Sequence, residues 1–256
     1  MSILQGNNAT PLRSAPVRGL AAIFMLAENR VLSIHELLTS MQNEPTDHAA
    51  SNLRRYISQL RDQLGSLRDR LITLRGGGGG WGGGYQLIIK EGELDIEIYR
   101  RLAQQGETLL RRGQSFDALA TLTHAYTMWR GPIGRDCTAS ELLRAKFEAI
   151  NEFHVRLREL RAEAAIEMSV TAELILELRQ LVAEVPLRES AWVLLIRALF
   201  LGGSVSDALI AFSDVRRILV EQLGIEPSAR LQELHQAILT RDETGIRTFR
   251  FHPLTH

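Results

Sequence analysis

Residues 46–64 read Thr46-Asp47-His48-Ala49-Ala50-Ser51-Asn52-Leu53-Arg54-Arg55-Tyr56-Ile57-Ser58-Gln59-Leu60-Arg61-Asp62-Gln63-Leu64. Leu53, Ile57, Leu60 and Leu64 fall four, three and four residues apart, the spacing that gathers apolar side chains on one face of a helix. Thr46 or Asp47 can supply the N-cap, so the stretch predicts a helix ending at Leu64. With its apolar face inward, a turn of about 100° per residue points His48, Ser51, Arg55, Ser58, Gln59 and Asp62 the other way. Arg54 and Arg61 share one flank. Arginine pairs bidentately with guanine, and asparagine or glutamine with adenine, so this face suits a helix in a DNA major groove. The wheel alone equally describes the solvated face of a helical bundle.

Upstream, Leu20, Ile23 and Phe24 recur at helical spacing after Pro16 and predict a first helix up to Ala27. Ser33 stands three residues before Glu36, a capping-box pattern that opens a short second helix ending near Met41. Three helices with short connections make a helix-turn-helix unit. Residues 1–15 are polar and turn-rich, with room for one short strand around Ile3 and Leu4. Downstream the period changes. Leu71-Ile72-Thr73-Leu74 and Tyr85-Gln86-Leu87-Ile88-Ile89 are β-favouring runs separated by Gly76 to Gly80, Trp81 and Gly82 to Gly84. They read as a hairpin with a long glycine loop, so residues 1–92 predict a winged helix with a small β-hairpin wing.

In that wing, Arg75 can enter a narrow minor groove and Trp81 can lie along the sugar-phosphate wall. Glycine contributes no charge, and ordering such a loop costs about 1–2 kcal/mol per residue. The expectation is either a wing that weakens binding unless a partner orders it or, equally, a plain flexible linker. The glycine run is no phosphate-binding loop, because Gly84 leads into Tyr85 and a strand rather than into Gly-Lys-Ser/Thr and a helix.

From Asp95 onward only helical patterns remain, over about 95–112, 115–129, 139–168, 171–184, 187–202, 204–223 and 227–240. Asp117-Ala118-Leu119-Ala120 and Asp207-Ala208-Leu209-Ile210 open two of these. Paired helices with small residues at their contacts resemble tetratricopeptide-type repeats. The fold class is therefore mainly α, with the winged helix of 1–92 followed by an all-α repeat domain over 93–240 and a poorly ordered tail over 241–256. The stretch Ala145 to Ala165 predicts a long amphipathic helix, an intramolecular spine in preference to a dimer contact.

Composition narrows the function classes. Net charge is zero, yet residues 1–90 hold ten Arg/Lys against six Asp/Glu, which leaves twenty against twenty-four for the rest. Only this front end is suited to a polyanion. The apolar runs fall short of the roughly 20 residues that cross a bilayer, and the N-terminus lacks a secretory pattern, so the expectation is a cytoplasmic protein with no membrane partner. Cys137, the one cysteine, forms no internal disulfide and no cysteine-based metal cluster. His124, His154 and His235 lie on separate predicted helices and read as ordinary surface or packed residues; Trp129 and Trp192 read as core. No carboxylate pair, histidine cluster or nucleophile has catalytic spacing. We expect no enzyme, no catalytic residue, no cofactor and no metal.

Several stretches, taken in order, resemble the family of Streptomyces antibiotic regulatory proteins. They are Arg30-Val31-Leu32-Ser33-Ile34-His35-Glu36-Leu37-Leu38, Asn52 to Arg61, Gly84-Tyr85-Gln86-Leu87, Leu94-Asp95-Ile96, Trp129-Arg130-Gly131-Pro132, Pro186-Leu187-Arg188-Glu189 and Leu223 to His235. The shortened N-terminus and the glycine-filled wing depart from the family pattern. The resemblance implies a sequence-specific transcriptional activator of an antibiotic biosynthetic cluster. It would bind direct repeats in promoter DNA as a homodimer and recruit RNA polymerase with its sigma factor. On the helical wheel, Ser51, Asn52, Arg55 and Gln59 are assigned to base reading, and Arg54, Ser58 and Arg61 to phosphate clamping. The alternative is a helical-repeat adaptor whose winged helix binds DNA weakly or not at all.

Overall fold

The computed structural model describes residues 2–5, 8–42, 48–75, 83–137 and 139–249. The chain opens with a hairpin of β1 (Ser2–Gln5) and β2 (Asn8–Pro11), paired antiparallel with Ile3 opposite Thr10. One strand was expected there. Asn-Ala-Thr-Pro has little strand preference of its own, so β2 is legible only through its partner.

Helix α1 (Ala15–Leu26) starts where the Ser14 hydroxyl accepts from the Val17 amide, with Pro16 in the first turn. A two-residue strand β3 (Leu32–Ser33) precedes α2 (Ile34–Met41). The predicted capping box is formed: Ser33 Oγ accepts from the Glu36 amide at 3.1 Å, and the Ser33 amide donates to the Glu36 carboxylate at 2.8 Å. Those bonds hold the Glu36 carboxyl below the usual carboxylate range. Helix α3 (Ala49–Leu64) follows; the caps expected at Thr46 or Asp47 lie outside the described residues. A 3-10 turn (Gly65–Arg70) leads into β4 (Leu71–Leu74), and β5 (Gly84–Leu87) returns.

The sheet has three strands where a two-stranded wing was expected, in the antiparallel order β3-β5-β4. Strand β3 escapes a sequence reading because two residues cannot display a period of two. Gly84 has a steric reason: a Cβ there would sit 2.3 Å from the Leu32 carbonyl oxygen of the neighbouring strand.

Two units divide the chain, Met1–Ile98 with Arg130–Phe153, and Tyr99–Trp129 with His154–His256. The core of the first joins Val17, Leu20 and Phe24 of α1, Leu37 of α2, Leu53, Ile57 and Leu60 of α3, and Leu71 and Leu87 of the sheet. Leu143 and Phe147 belong to the same cluster. The unit thus reaches well beyond residue 92.

Among the described residues the second unit is all helix: most of α4 (Asp95–Arg111), α5 (Ser115–Met128), the later part of α6 (Glu141–Met168), α7 (Ala172–Glu184), α8 (Glu189–Leu201), α9 (Val205–Leu223), α10 (Ala229–Leu239) and α11 (Glu243–Thr248). Helix α8 lies at its centre, every residue from Ser190 to Phe200 buried, against α7, α9, α10 and α11. The later part of α6 is an intramolecular spine. Its Arg158 pairs with Glu184, Arg161 with Glu177, Glu159 with Arg188 and Glu163 with Arg197. Burial raises the Glu159 carboxyl above its usual range.

The stretch expected to be a loose tail contains α11, and Ile246 and Phe249 are buried in the core. The reason is Arg197, fully buried, which donates to the carbonyls of Ile246 at 3.2 Å and Arg247 at 3.1 Å. Trp192 is core, as expected, whereas Trp129 is half-buried.

Candidate nucleic-acid interface

Five residues of α3 are buried, Ala49, Leu53, Ile57, Leu60 and Leu64. On the opposite face His48, Ser51, Arg54, Arg55, Ser58, Gln59 and Asp62 are exposed, while Asn52 and Arg61 are half-buried. The apolar spacing thus places the polar stripe where the helical wheel puts it. α1 and α2 pack behind α3, so the stripe is held on a rigid base.

The individual side chains differ in what already engages them. Ser51 donates to the His48 carbonyl at 2.8 Å. Arg55 donates to Asn52 Oδ1 at 3.2 Å, and its guanidinium carbon stands 5.2 Å from the Tyr56 ring centroid. That contact narrows the directions Arg55 samples, and both partners stay on the exposed side of the helix. Arg54 has no ion-pair or hydrogen-bond partner among the described residues. The same holds for Arg75, exposed just after β4. Trp81 lies outside the described residues.

Arg61, expected to clamp phosphate, is already engaged within the fold. Its Nε and Nη2 donate to the Leu71 carbonyl at 3.1 and 2.7 Å, and Nη2 donates to Thr73 Oγ1 at 2.6 Å. The guanidinium lies on the wing strand. Thr73 was not among the residues read as functional, and its only signal in the sequence is a hydroxyl alternating with apolar neighbours in β4. Arg68, exposed on the 3-10 turn, is a further cation beside α3 that was not singled out.

The family-like stretches of the sequence also meet one another. Arg130 of Trp-Arg-Gly-Pro pairs with Asp95 of Leu-Asp-Ile at 2.6 Å. Glu189 of Pro-Leu-Arg-Glu accepts the Ser228 amide at 3.0 Å and also the Ser228 hydroxyl. In the same closing stretch Gly224 takes the left-handed conformation, φ 71°, that ends α9.

The bacterial transcriptional activator domain family matches residues 94–239, more than half of the chain. Regulatory protein DnrI of Streptomyces peucetius is 31% identical over 247 residues, covering 93% of this chain and 88% of its own length. The chain belongs to the Streptomyces antibiotic regulatory protein family. Members of that family are transcriptional activators, and this chain shares their plan of a small antiparallel sheet and helices followed by a helical-repeat domain. Regulatory protein AfsR of Streptomyces griseus is 30% identical over 242 residues, but this chain spans 24% of it. Among solved structures, Mycobacterium tuberculosis EmbR in complex with a low affinity phosphopeptide superposes with a TM-score of 0.84 at 27% identity. It covers 96% of this chain, which spans 66% of the EmbR chain. Among the described residues, no helix is long and apolar enough to cross a membrane.

Proposed function

We propose that this family member is a sequence-specific DNA-binding activator that works in the cytoplasm and lays α3 in the major groove. The observation that carries the proposal is the exposed stripe of Ser51, Arg54, Arg55, Ser58 and Gln59 opposite the buried Leu53, Ile57 and Leu60. Arg55 and Gln59, with Ser51 and Asn52 beside them, present donors and acceptors suited to base edges, and Arg54 with Ser58 suits the phosphates. In the wing, Arg75 is suited to a narrow minor groove and the indole of Trp81, outside the described residues, to the sugar-phosphate wall.

Family membership supports the rest of the reading. The protein binds direct repeats in the promoter of an antibiotic biosynthetic cluster as a homodimer, and its helical domain recruits RNA polymerase and its sigma factor. It has no catalytic role.

Retention of labelled duplexes by the full chain, promoter fragments of the neighbouring biosynthetic genes against random sequence, tests this. A preference for one promoter fragment, lost in Arg55→Ala, is the expected result. Equal retention of all duplexes, with no effect of Arg55→Ala at low salt, discards the activator reading and leaves a helical-repeat adaptor.

A further inference from the structure

Strand β4 is one of the two outer strands of its sheet. The Ile88 amide bonds the Arg70 carbonyl at 2.9 Å, in register with Leu71 opposite Leu87 and Ile72 opposite Gln86. Alternation along an antiparallel ladder then turns Ile72 and Leu74 toward β5 for hydrogen bonding and turns the carbonyls of Leu71 and Thr73 to the open edge. An open edge carbonyl needs a donor. Arg61, from the last turn of α3, supplies two N–H groups to the Leu71 carbonyl and one to Thr73 Oγ1. The planar fork of arginine makes these contacts with one rigid group, which a lysine ammonium does not reproduce.

Arg54 shares the flank of α3 with Arg61 but is exposed and unpartnered among the described residues, so the two arginines are not equivalent. Beyond Arg75 the sequence offers glycines and Trp81, which bring no further charge to hold the wing. We infer that Arg61 is a positioning residue: it fixes the wing strand β4 against the recognition helix through Leu71 and Thr73, and it is not a phosphate ligand. This rests on the reading of α3 as the DNA-contacting helix. Its consequence is that the wing reaches the duplex in a position set by α3, so losing Arg61 blurs sequence preference without removing a phosphate contact.

Two measurements on the full chain test it. Amide hydrogen exchange of the free protein should show Ile72 and Leu74 exchanging about tenfold faster in Arg61→Gln, while Leu53 to Leu60 of α3 stay unchanged. Thr73→Val, which removes one acceptor and keeps the side-chain shape, should move the same amides by a smaller factor. Arg61→Lys should restore little. In the second measurement, the salt dependence of binding to a random-sequence duplex should keep its slope in Arg61→Gln, whereas Arg54→Gln lowers it by about one unit. The proposal is overturned if Arg61→Gln lowers the slope by one unit, or if both variants leave the β4 amides unmoved. Wild-type protein that retains no duplex at low salt defeats the DNA-binding reading, and the exchange measurement then still decides whether Arg61 holds the wing.

Discussion

Ser140 Oγ donates to the Ser40 carbonyl at 2.7 Å, joining residues 100 apart in sequence. The Ser140 side chain also accepts the Leu143 amide at 3.3 Å, so one buried hydroxyl both caps α6 and ties its start to the end of α2. Leu143 and Phe147, on the next turns, complete the core around α1 and α3. The core of the three-helix unit that carries α3 therefore includes residues of a segment that sequence patterning assigns to the repeat domain.

Phe147→Ala should destabilise this unit by about 3–5 kcal/mol, the range for emptying a buried aromatic site. Gly134, at φ 94°, faces the same ring, and a Cβ there would lie 2.4 Å from Phe147 Cδ2. Gly134→Ala should destabilise in the same direction. Denaturant titration followed by amide protection of α1 and α3 reads both; unchanged protection of α1 in Phe147→Ala would mean the unit closes without this segment.

Arg197 is wholly buried, with a two-pronged bond to Glu163 at 2.8 Å and two carbonyls of the α11 region as acceptors. Removing one member of such a pair strands the other charge and typically costs about 3–5 kcal/mol. Arg197→Met should lower the melting temperature and open the chain after residue 240 to protease, and adding Glu163→Gln should recover part of the loss. A single variant with wild-type melting and protease resistance would show that α11 is held by Ile246 and Phe249 alone.

His154 gives the fold a dependence on acid. Its ring stacks on Trp129 at 4.1 Å and 6°, and its Nδ1 lies 3.0 Å from the Tyr99 hydroxyl. Burial, with Arg158 nearby, pushes its pKa down to about 4. A histidine held neutral in this way contributes stability that is complete above its unfolded pKa of about 6.5 and is lost as pH falls through the window down to the folded value. Urea unfolding should show a loss of about 2 kcal/mol between pH 7 and pH 5 from this group. His154→Gln should be less stable at pH 7 but free of this part of the pH dependence. The same slope in both proteins would exclude His154 as the source.

What could be read from the sequence follows from where each signal resides. Helix α3 was legible because Leu53, Ile57, Leu60 and Leu64 repeat at the helical period, and α2 because the Ser33–Glu36 box is local. Strand β3 was not, since only its pairing with Tyr85 and Gly84 of β5 makes two residues a strand. Helix α11 was hidden by Gly245 and its charged neighbours, although Ile246 is fully buried by partners some fifty residues away. The exposed stripe was visible for the same reason as α3. The difference between Arg54 and Arg61 was not, because a helical wheel cannot say which arginine meets a strand.

The two exposed arginines of α3, Arg54 and Arg55, differ from each other as well. Arg55 stands near the middle of the exposed stripe, already turned toward Asn52 and Tyr56, where a guanidinium can reach a guanine edge. Arg54 lies on the flank without a partner among the described residues. Replacing a base-reading arginine should cost roughly 1–3 kcal/mol, mostly on the cognate duplex. Arg55→Ala should therefore narrow the gap between promoter and random DNA and leave the salt slope near its wild-type value. Arg54→Ala should weaken binding to every sequence alike and reduce the slope by about one unit. Titrations of both variants on both duplexes at several salt concentrations decide it, and an equal loss on promoter and random DNA for Arg55→Ala would move that arginine to the phosphate backbone.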